Sequence, residues 1–328
     1  MRKYIKQLTI LVVCIFAVAI AVYARDDRVV NNWRSYMYTS EELVLRSQGL
    51  EIRGTKPVIT ADYAHYTRVN DAIEVALEGL LDTSRRMRAR SVVVSYEVYS
   101  THGLVSIVIS ANSRAVTDRV SVTSVNFNPA TGAFVTLTGA IGRDITPLIR
   151  GIISDMIRRD PATYYAAFNA PPAGQAFYLT ATCVVILFDE FQLSSTPGAT
   201  TQIQMTRANI RYFTISPNEY HLGTGRYSVK MMPLRTILEG LGYSEDDFAW
   251  CGTTLTATIF RNGRSIVSLS VGVNNYHRIG VMQRSLETAP VQINSSVYVP
   301  ITFFDQILSL TSYSIDAMGN ITFITYLD

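Results

Sequence analysis

Val92-Val93-Val94-Ser95-Tyr96-Glu97-Val98-Tyr99 and Leu104-Val105-Ser106-Ile107-Val108-Ile109, on either side of Thr101-His102-Gly103, decide how the first half of the chain folds. Both runs are rich in β-branched and aromatic residues, which pack well on a pleated, half-buried surface. They predict two strands, and the polar, glycine-bearing segment between them predicts a hairpin. Just upstream, Ile73, Ala76, Leu77, Leu80 and Leu81 recur at i, i+3, i+4, i+7 and i+8. That spacing puts them on one face of an amphipathic helix between Asn70 and Leu81. Downstream, Val120 to Phe127 predicts a third strand, and Asn128-Pro129-Ala130-Thr131-Gly132 predicts a turn into another strand from Ala133 to Leu137.

A second helix is signalled by Pro147 near its first position and by a stripe of Leu148, Ile149, Ile152, Ile153, Met156 and Ile157, with Pro161 at its end. Strands resume at Phe177 to Leu179, Cys183 to Phe188 and Ile203 to Met205. Two helices among antiparallel strands predict a larger α+β domain over residues 46–216, after a linker at 25–45. The polar, turn-forming stretch from Ser216 to Gly225 predicts a second linker, placed at 217–226.

Beyond that linker, Met232-Pro233-Leu234-Arg235-Thr236-Ile237-Leu238-Glu239-Gly240-Leu241-Gly242 returns in degenerate form as Val299-Pro300-Ile301-Thr302-Phe303-Phe304-Asp305-Gln306-Ile307-Leu308-Ser309-Leu310. Each copy reads as a strand entering a proline-started helix, with a strand to follow at Leu255 to Phe260 and at Ile321 to Ile324. Asn262-Gly263 is a two-residue hairpin signal before Ser265 to Val271. Residues 227–328 are therefore expected to form a smaller α+β domain with an internal strand-helix-strand repeat.

The composition fits two domains, with 328 residues of which 48% are hydrophobic and 17% charged. The net charge of +3 comes from Arg2, Lys3 and Lys6, because the other 26 Lys and Arg balance 26 Asp and Glu. A body without net charge has little general pull on a phosphate backbone, so nucleic acid is not an expected partner. Those three cations precede an uncharged stretch from Leu8 to Ala24, which predicts export, with residues 1–24 acting as a signal peptide or an N-terminal anchor. Contact with a membrane is expected only through residues 8–24, if they stay uncleaved. Cys14, Cys183 and Cys251 are too few and scattered for a disulfide framework or a zinc site, although a Cys183–Cys251 bridge stays open. Cys183, inside an apolar run, reads as a buried structural thiol.

Several separated pieces occur in an order that carries a resemblance: Pro57-Val58-Ile59, Val69-Asn70-Asp71-Ala72-Ile73, Tyr96-Glu97-Val98, Asn126-Phe127-Asn128 with Thr131-Gly132, and Leu187-Phe188-Asp189-Glu190-Phe191. Residues 46–216 resemble the extracytoplasmic domain shared by lysozyme-sensing anti-sigma factors and some peptidoglycan deacetylases. That family's Gly-Gly-Ala-His segment has no counterpart near Ala115 to Val120, so no contact made through its histidine transfers. Seven residues before Leu8 are too few to fold into a sigma-factor grip, and no metal-binding deacetylase domain follows. Pro233-Leu234-Arg235, Leu241-Gly242, Trp250, Ala289-Pro290 with Asn294, and Tyr298-Val299-Pro300 resemble the non-catalytic domain named after the N-terminal part of copper amine oxidases. Copper chemistry itself needs three histidines and a quinone-forming tyrosine, whereas His65, His102, His221 and His277 are isolated.

Candidate binding residues are few. Arg85, Arg86, Arg88 and Arg90 follow the first helix, where cations complement the helix dipole; a solvated terminus is the reading favoured over an anionic-polymer site. Trp250 reads as a core residue before a sugar-stacking platform. Asp189-Glu190 and Asp246-Asp247 are adjacent pairs whose side chains diverge, so they are not expected to converge as acid and base. The expected function is a non-catalytic, exported envelope protein, without a cofactor, that binds a cell-wall polymer or a secreted protein. The alternatives are a membrane-anchored sensory or accessory subunit, and a wall hydrolase with a site not recognised in the sequence.

Overall fold

Gln48 at φ 50° and Gly49 at φ 82° form the two-residue turn that joins β1 (Tyr38–Ser47) to β2 (Leu50–Ile59). Positive φ at both turn positions matches the right-handed twist of the flanking strands. A computed structural model of the chain describes residues 37–60, 64–101, 103–165, 174–197, 200–223, 228–279, 283–308 and 311–327. The leader at 1–24, the start of the expected linker and His102 lie outside the described residues. The architecture is α+β, in two compact units: Met1–Arg143 with Pro172–Arg207, and Asp144–Pro171 with Ala208–Asp328.

In the first unit, α1 (Ala64–Arg86) carries the chain from β2 to β3 (Ser91–Thr101), which lies parallel to β2 from Glu51 to Gly54. β3, β4 (Leu104–Arg114) and β5 (Arg119–Phe127) then run antiparallel, giving the sheet order β1-β2-β3-β4-β5. The expected helix, hairpin and third strand are present, but the parallel β2–β3 pair is a feature the sequence did not signal. Tyr66, Val69, Ile73, Leu77, Leu80 and Leu81 of α1 are buried against Ile52, Val92, Val94, Ile107 and Ile109. Six such side chains contribute on the order of 10 kcal/mol of gross hydrophobic stabilisation, before chain entropy is counted.

β1 corrects the expected linker at 25–45. Of its ten residues only Leu43 is buried, so a polar edge strand carried no alternating pattern to be read. Gly54 lets β2 approach β3: its φ is 126°, and a Cβ there would lie 1.9 Å from the Val94 carbonyl oxygen. After it, Asn70 of α1 satisfies the end of β2, accepting from the Ile59 N–H at 2.9 Å and donating to the Ile59 carbonyl at 3.0 Å. The strand expected from Ala133 to Leu137 reduces to one bridge between Phe127 and Phe134, because Thr136 caps a short helix, α2 (Leu137–Ile141). β6 (Phe177–Leu179), β7 (Cys183–Phe188) and β8 (Thr201–Thr206) form a second, antiparallel sheet. Val185 and Leu187 pack on Val108, and Tyr178 stacks on Tyr99 with centroids 3.9 Å apart.

The second unit takes in α3 (Thr146–Arg159), the helix expected in the larger domain, and β9 (Ile210–Ile215). Its stripe was legible, but a stripe does not name the partner that covers it. The segment expected as linker 217–226 is ordered where it is described: Ser216 and Glu219 form a capping box, and β10 (His221–Leu222) pairs with β11 (Lys230–Pro233). The internal repeat is visible as β11 entering α4 (Leu234–Gly240), and β17 (Ser296–Pro300) entering the shorter α5 (Phe303–Gln306). β11 and β17 pair antiparallel, Met232 opposite Val299, so the two copies meet strand to strand.

Three sheets complete this unit. β10-β11-β17-β16 is the first, with β16 at Val291–Ile293. The second is β12-β13-β14-β15, of strands Phe248–Cys251, Thr256–Arg261, Arg264–Ser270 and His277–Arg278. Asn262 and Gly263, at φ 50° and 70°, make the expected hairpin turn between β13 and β14. The third joins β18 (Thr311–Ile315) to β19 (Ile321–Tyr326), and β19 to β9. α3 packs on β18 and β19. Its buried Asp155 accepts from the Arg278 guanidinium at 2.7 Å, with Arg158 and Arg159 at 3.4 and 3.7 Å.

Candidate functional site

α1 ends by bending back on itself. The Arg88 N–H donates to the Arg85 carbonyl at 2.8 Å and the Ala89 N–H donates to the Ser84 carbonyl at 3.0 Å, while Arg88 stands at φ 55°. This is a Schellman closure with arginine at the left-handed position that glycine usually fills. Ala89 turns inward and is buried, leaving Arg86, Arg88 and Arg90 exposed. The Arg90 N–H then donates to the Arg114 carbonyl at 2.8 Å, and the Arg90 carbonyl accepts from the Glu51 N–H at 3.0 Å. Glu51 in turn lies opposite Arg46 across the β1–β2 pair.

Strand register thus sets Arg46, Glu51, Ser91 and Arg114 in a row across one end of the sheet, with Arg90 immediately before Ser91 and Arg86 and Arg88 on the adjoining turn. Arg46, Arg86, Arg88, Arg90 and Arg114 are all exposed, and among the described residues none has an ion-pair partner. The Glu51 carboxylate is taken by Arg53 at 2.5 Å. Cross-strand neighbours sit about 5 Å apart at the backbone. Their unscreened repulsion is below about 1 kcal/mol per pair in water, a small cost that a bound anion would relieve.

Arg85 differs from its neighbours. Its guanidinium is mostly buried and donates to Glu78 at 2.5 Å and Asp82 at 2.6 Å; those hydrogen bonds raise its already high pKa further. It clamps α1 and does not face solvent as the other arginines do. Arg46 and Arg114 escaped the sequence reading because only strand register brings them beside Arg90. The available signal was an arginine at the end of each of two strands, which is weak alone.

Trp250 is placed otherwise than expected. It lies on the edge strand β12 with 38% of its surface exposed, so it is not a core residue. The neighbouring Cys251 is exposed and Cys183 is buried, and both are free thiols, so the bridge left open by the sequence is not formed. Asp189 and Glu190 cover the outer edge of β5: Asp189 accepts from the Val122 N–H and Glu190 from the Val120 N–H, each at 2.7 Å. Burial pushes the Asp189 carboxyl above the ordinary aspartate range, against the opposing pull of the Val122 N–H and the Arg119 charge. Asp247 accepts from the Ser244 N–H at 2.9 Å and its hydroxyl at 2.8 Å, closing a capping box. Tyr276 is fully buried and donates to the Thr288 carbonyl at 2.9 Å; burial, then the charge of Glu287, raises its pKa. No group of three or more His, Cys, Asp or Glu side chains suited to a metal occurs among the described residues. Nor, among them, is any helix long and apolar enough to cross a membrane.

Residues 227–318 match the family model of the copper amine oxidase N-terminal domain, the resemblance expected for the smaller domain. No curated protein matches the chain. Two similar solved structures are DUF3298-family proteins. The one from Bacteroides fragilis is 12% identical, with a TM-score of 0.32, over 52% of this chain and 90% of its own. The other, from Pseudomonas aeruginosa, is also 12% identical, with a TM-score of 0.34, over 52% of this chain and 91% of its own.

Proposed function

We propose that this is an exported envelope protein that binds a cell-wall component or a secreted protein without catalysing a reaction. The observation that carries the binding role is the set of five exposed arginines, none with an ion-pair partner among the described residues, at one end of the first unit's sheet. Guanidinium groups without a countercharge on a scaffold of paired strands form a surface ready to meet an anionic partner, since Arg presents a rigid fork of donors. Export is supported by Arg2, Lys3 and Lys6 ahead of the uncharged Leu8 to Ala24 stretch. The non-catalytic reading is supported by the acidic pairs: the side chains of Asp189, Glu190 and Asp247 accept backbone N–H groups and so act as structural caps.

Retention of the purified chain on isolated cell-wall sacculi, and separately on immobilised lysozyme, tests the proposal. Retention on one of them, resistant to washing at moderate salt, is the expected result. A chain that washes off both, or that turns over wall polymer, refutes it.

A further inference from the structure

We infer that the row Arg46–Arg90–Arg114, with Arg86 and Arg88 beside it, binds a linear polyol-phosphate polymer, a chain of phosphodiesters without bases. The inference rests on the envelope-binding reading and names its ligand and its surface.

Three features select this chemistry. The first is the shape of the site. Register places Arg46, Glu51, Ser91 and Arg114 on successive neighbours across the sheet, so Arg46 and Arg114 are about 15 Å apart at the backbone, and Arg90 immediately precedes Ser91 at the same end. A single phosphate cannot reach guanidinium groups spread over that distance, whereas a polymer with a charge on every unit can meet them in turn. The second is the availability of the charges. The one acid within the row, Glu51, is held by Arg53, and Arg85 alone absorbs the carboxylates of Glu78 and Asp82. Exposed Asp118, in the β4–β5 turn, marks one boundary of the basic area. Arg88 moreover keeps a left-handed backbone at which a side chain costs about 1 kcal/mol. The third is what surrounds the row. Ser47, Gln48, Gly49 and Ser91 adjoin it, all small or polar, so a phosphate chain can lie close. They supply no aromatic platform of the kind on which single-stranded nucleic acids stack their bases.

The test uses the full chain and poly(glycerol phosphate), with affinity followed over a salt series. Affinity should fall as salt rises, with a log–log slope of about 2 for three phosphate contacts. R88E/R90E/R114E should weaken binding more than about tenfold at low salt and flatten that slope. R150E/R211E/R264E, which makes the same charge change at exposed arginines of the second unit, should leave binding within about twofold. If the first variant fails to fold, as judged by its thermal melt, R46Q/R86Q leaves every backbone bond of the row intact and should still weaken binding several-fold. Unchanged polymer binding in the row variants overturns the inference. So does equal or tighter binding of single-stranded DNA or of poly-glutamate at matched charge. Failure of the chain to bind whole sacculi or lysozyme overturns the envelope-binding reading itself. Retention on sacculi that survives both the row variants and chemical removal of the phosphate polymer overturns only the present inference.

Discussion

Replacing Gly54 by alanine should cost the first unit about 3–5 kcal/mol, although it adds a single methyl group. The new Cβ would lie 1.9 Å from the Val94 carbonyl oxygen and 2.8 Å from the Val94 N and carbonyl carbon, all of them backbone atoms that no rotamer change can remove. Restoring an ordinary contact of about 3.5 Å means parting the two strands by roughly 1.5 Å. That movement breaks the short parallel ladder from Glu51–Ser91 to Gly54–Val94. Losing two or three of its hydrogen bonds costs about 1 kcal/mol each. The φ of 126° adds a further 1–3 kcal/mol for a residue with a side chain. A loss of this size is a large share of the 5–15 kcal/mol that typically holds a domain folded. Scanning calorimetry on the full chain, with hydrogen–deuterium exchange on peptides covering 51–54 and 91–94, separates a local effect from a global one. The first unit's transition should move down, and those amides should exchange orders of magnitude faster. A Gly54→Ala protein within about 0.5 kcal/mol of the parent, with those amides still protected, would show that the strands do not approach as described.

Arg88→Gly should raise stability by about 0.5 kcal/mol, the relief of a left-handed side chain less the extra freedom of glycine when unfolded, whereas Arg88→Ala should raise nothing; equal denaturation midpoints for the two variants would refute the assignment. Asp155→Asn should cost about 1–3 kcal/mol, because the largely buried Arg278 guanidinium loses its countercharge, and Arg278→Gln in the same chain should recover part of the loss. Urea titrations of the two single variants and the double variant measure that coupling. Asp189 protonates more readily in the folded chain than in the unfolded one, so it contributes stability below an unfolded pKa near 3.9 that is lost as pH rises through its raised folded value. Asp189→Asn keeps an oxygen for the Val122 N–H and removes the titration, so its stability relative to the parent should improve from pH 4 towards pH 7. A difference that is flat with pH would mean the carboxyl is not desolvated.

What the sequence disclosed was whatever one element carries by itself. The β-branched runs at 92–99 and 104–109, the stripe on α1 and the Asn262-Gly263 turn each combine pattern with a local mechanism, and each is found where expected. β1 was missed because an edge strand with one buried residue has no period to detect. α3 was recognised as a helix but assigned to the wrong unit, since its apolar stripe is satisfied by β18 and β19, more than 140 residues further along. Trp250 was read inward because its type is usually buried, yet β12 is an edge strand that leaves most of its side chains in solvent. The arginines show the same division. Arg86, Arg88 and Arg90 stand together in the chain and were noticed; Arg46 and Arg114 join them only through register, which no run of residues states.

The discontinuity of the second unit sets the order in which it can be made. α3 is complete at Arg159, but β18 starts at Thr311 and β9 pairs with a strand that starts only at Ile321. At synthesis rates of about 5–20 residues per second, the sticky side of α3 waits on the order of 10 s for its partners. The first unit's final strand, β8, is finished well inside that interval. The nascent chain therefore carries an orphan amphipathic helix after every strand of the first unit has been made. A copy beginning at residue 227 would instead lack both α3 and β9, baring the edge of β19 and inviting strand-to-strand aggregation.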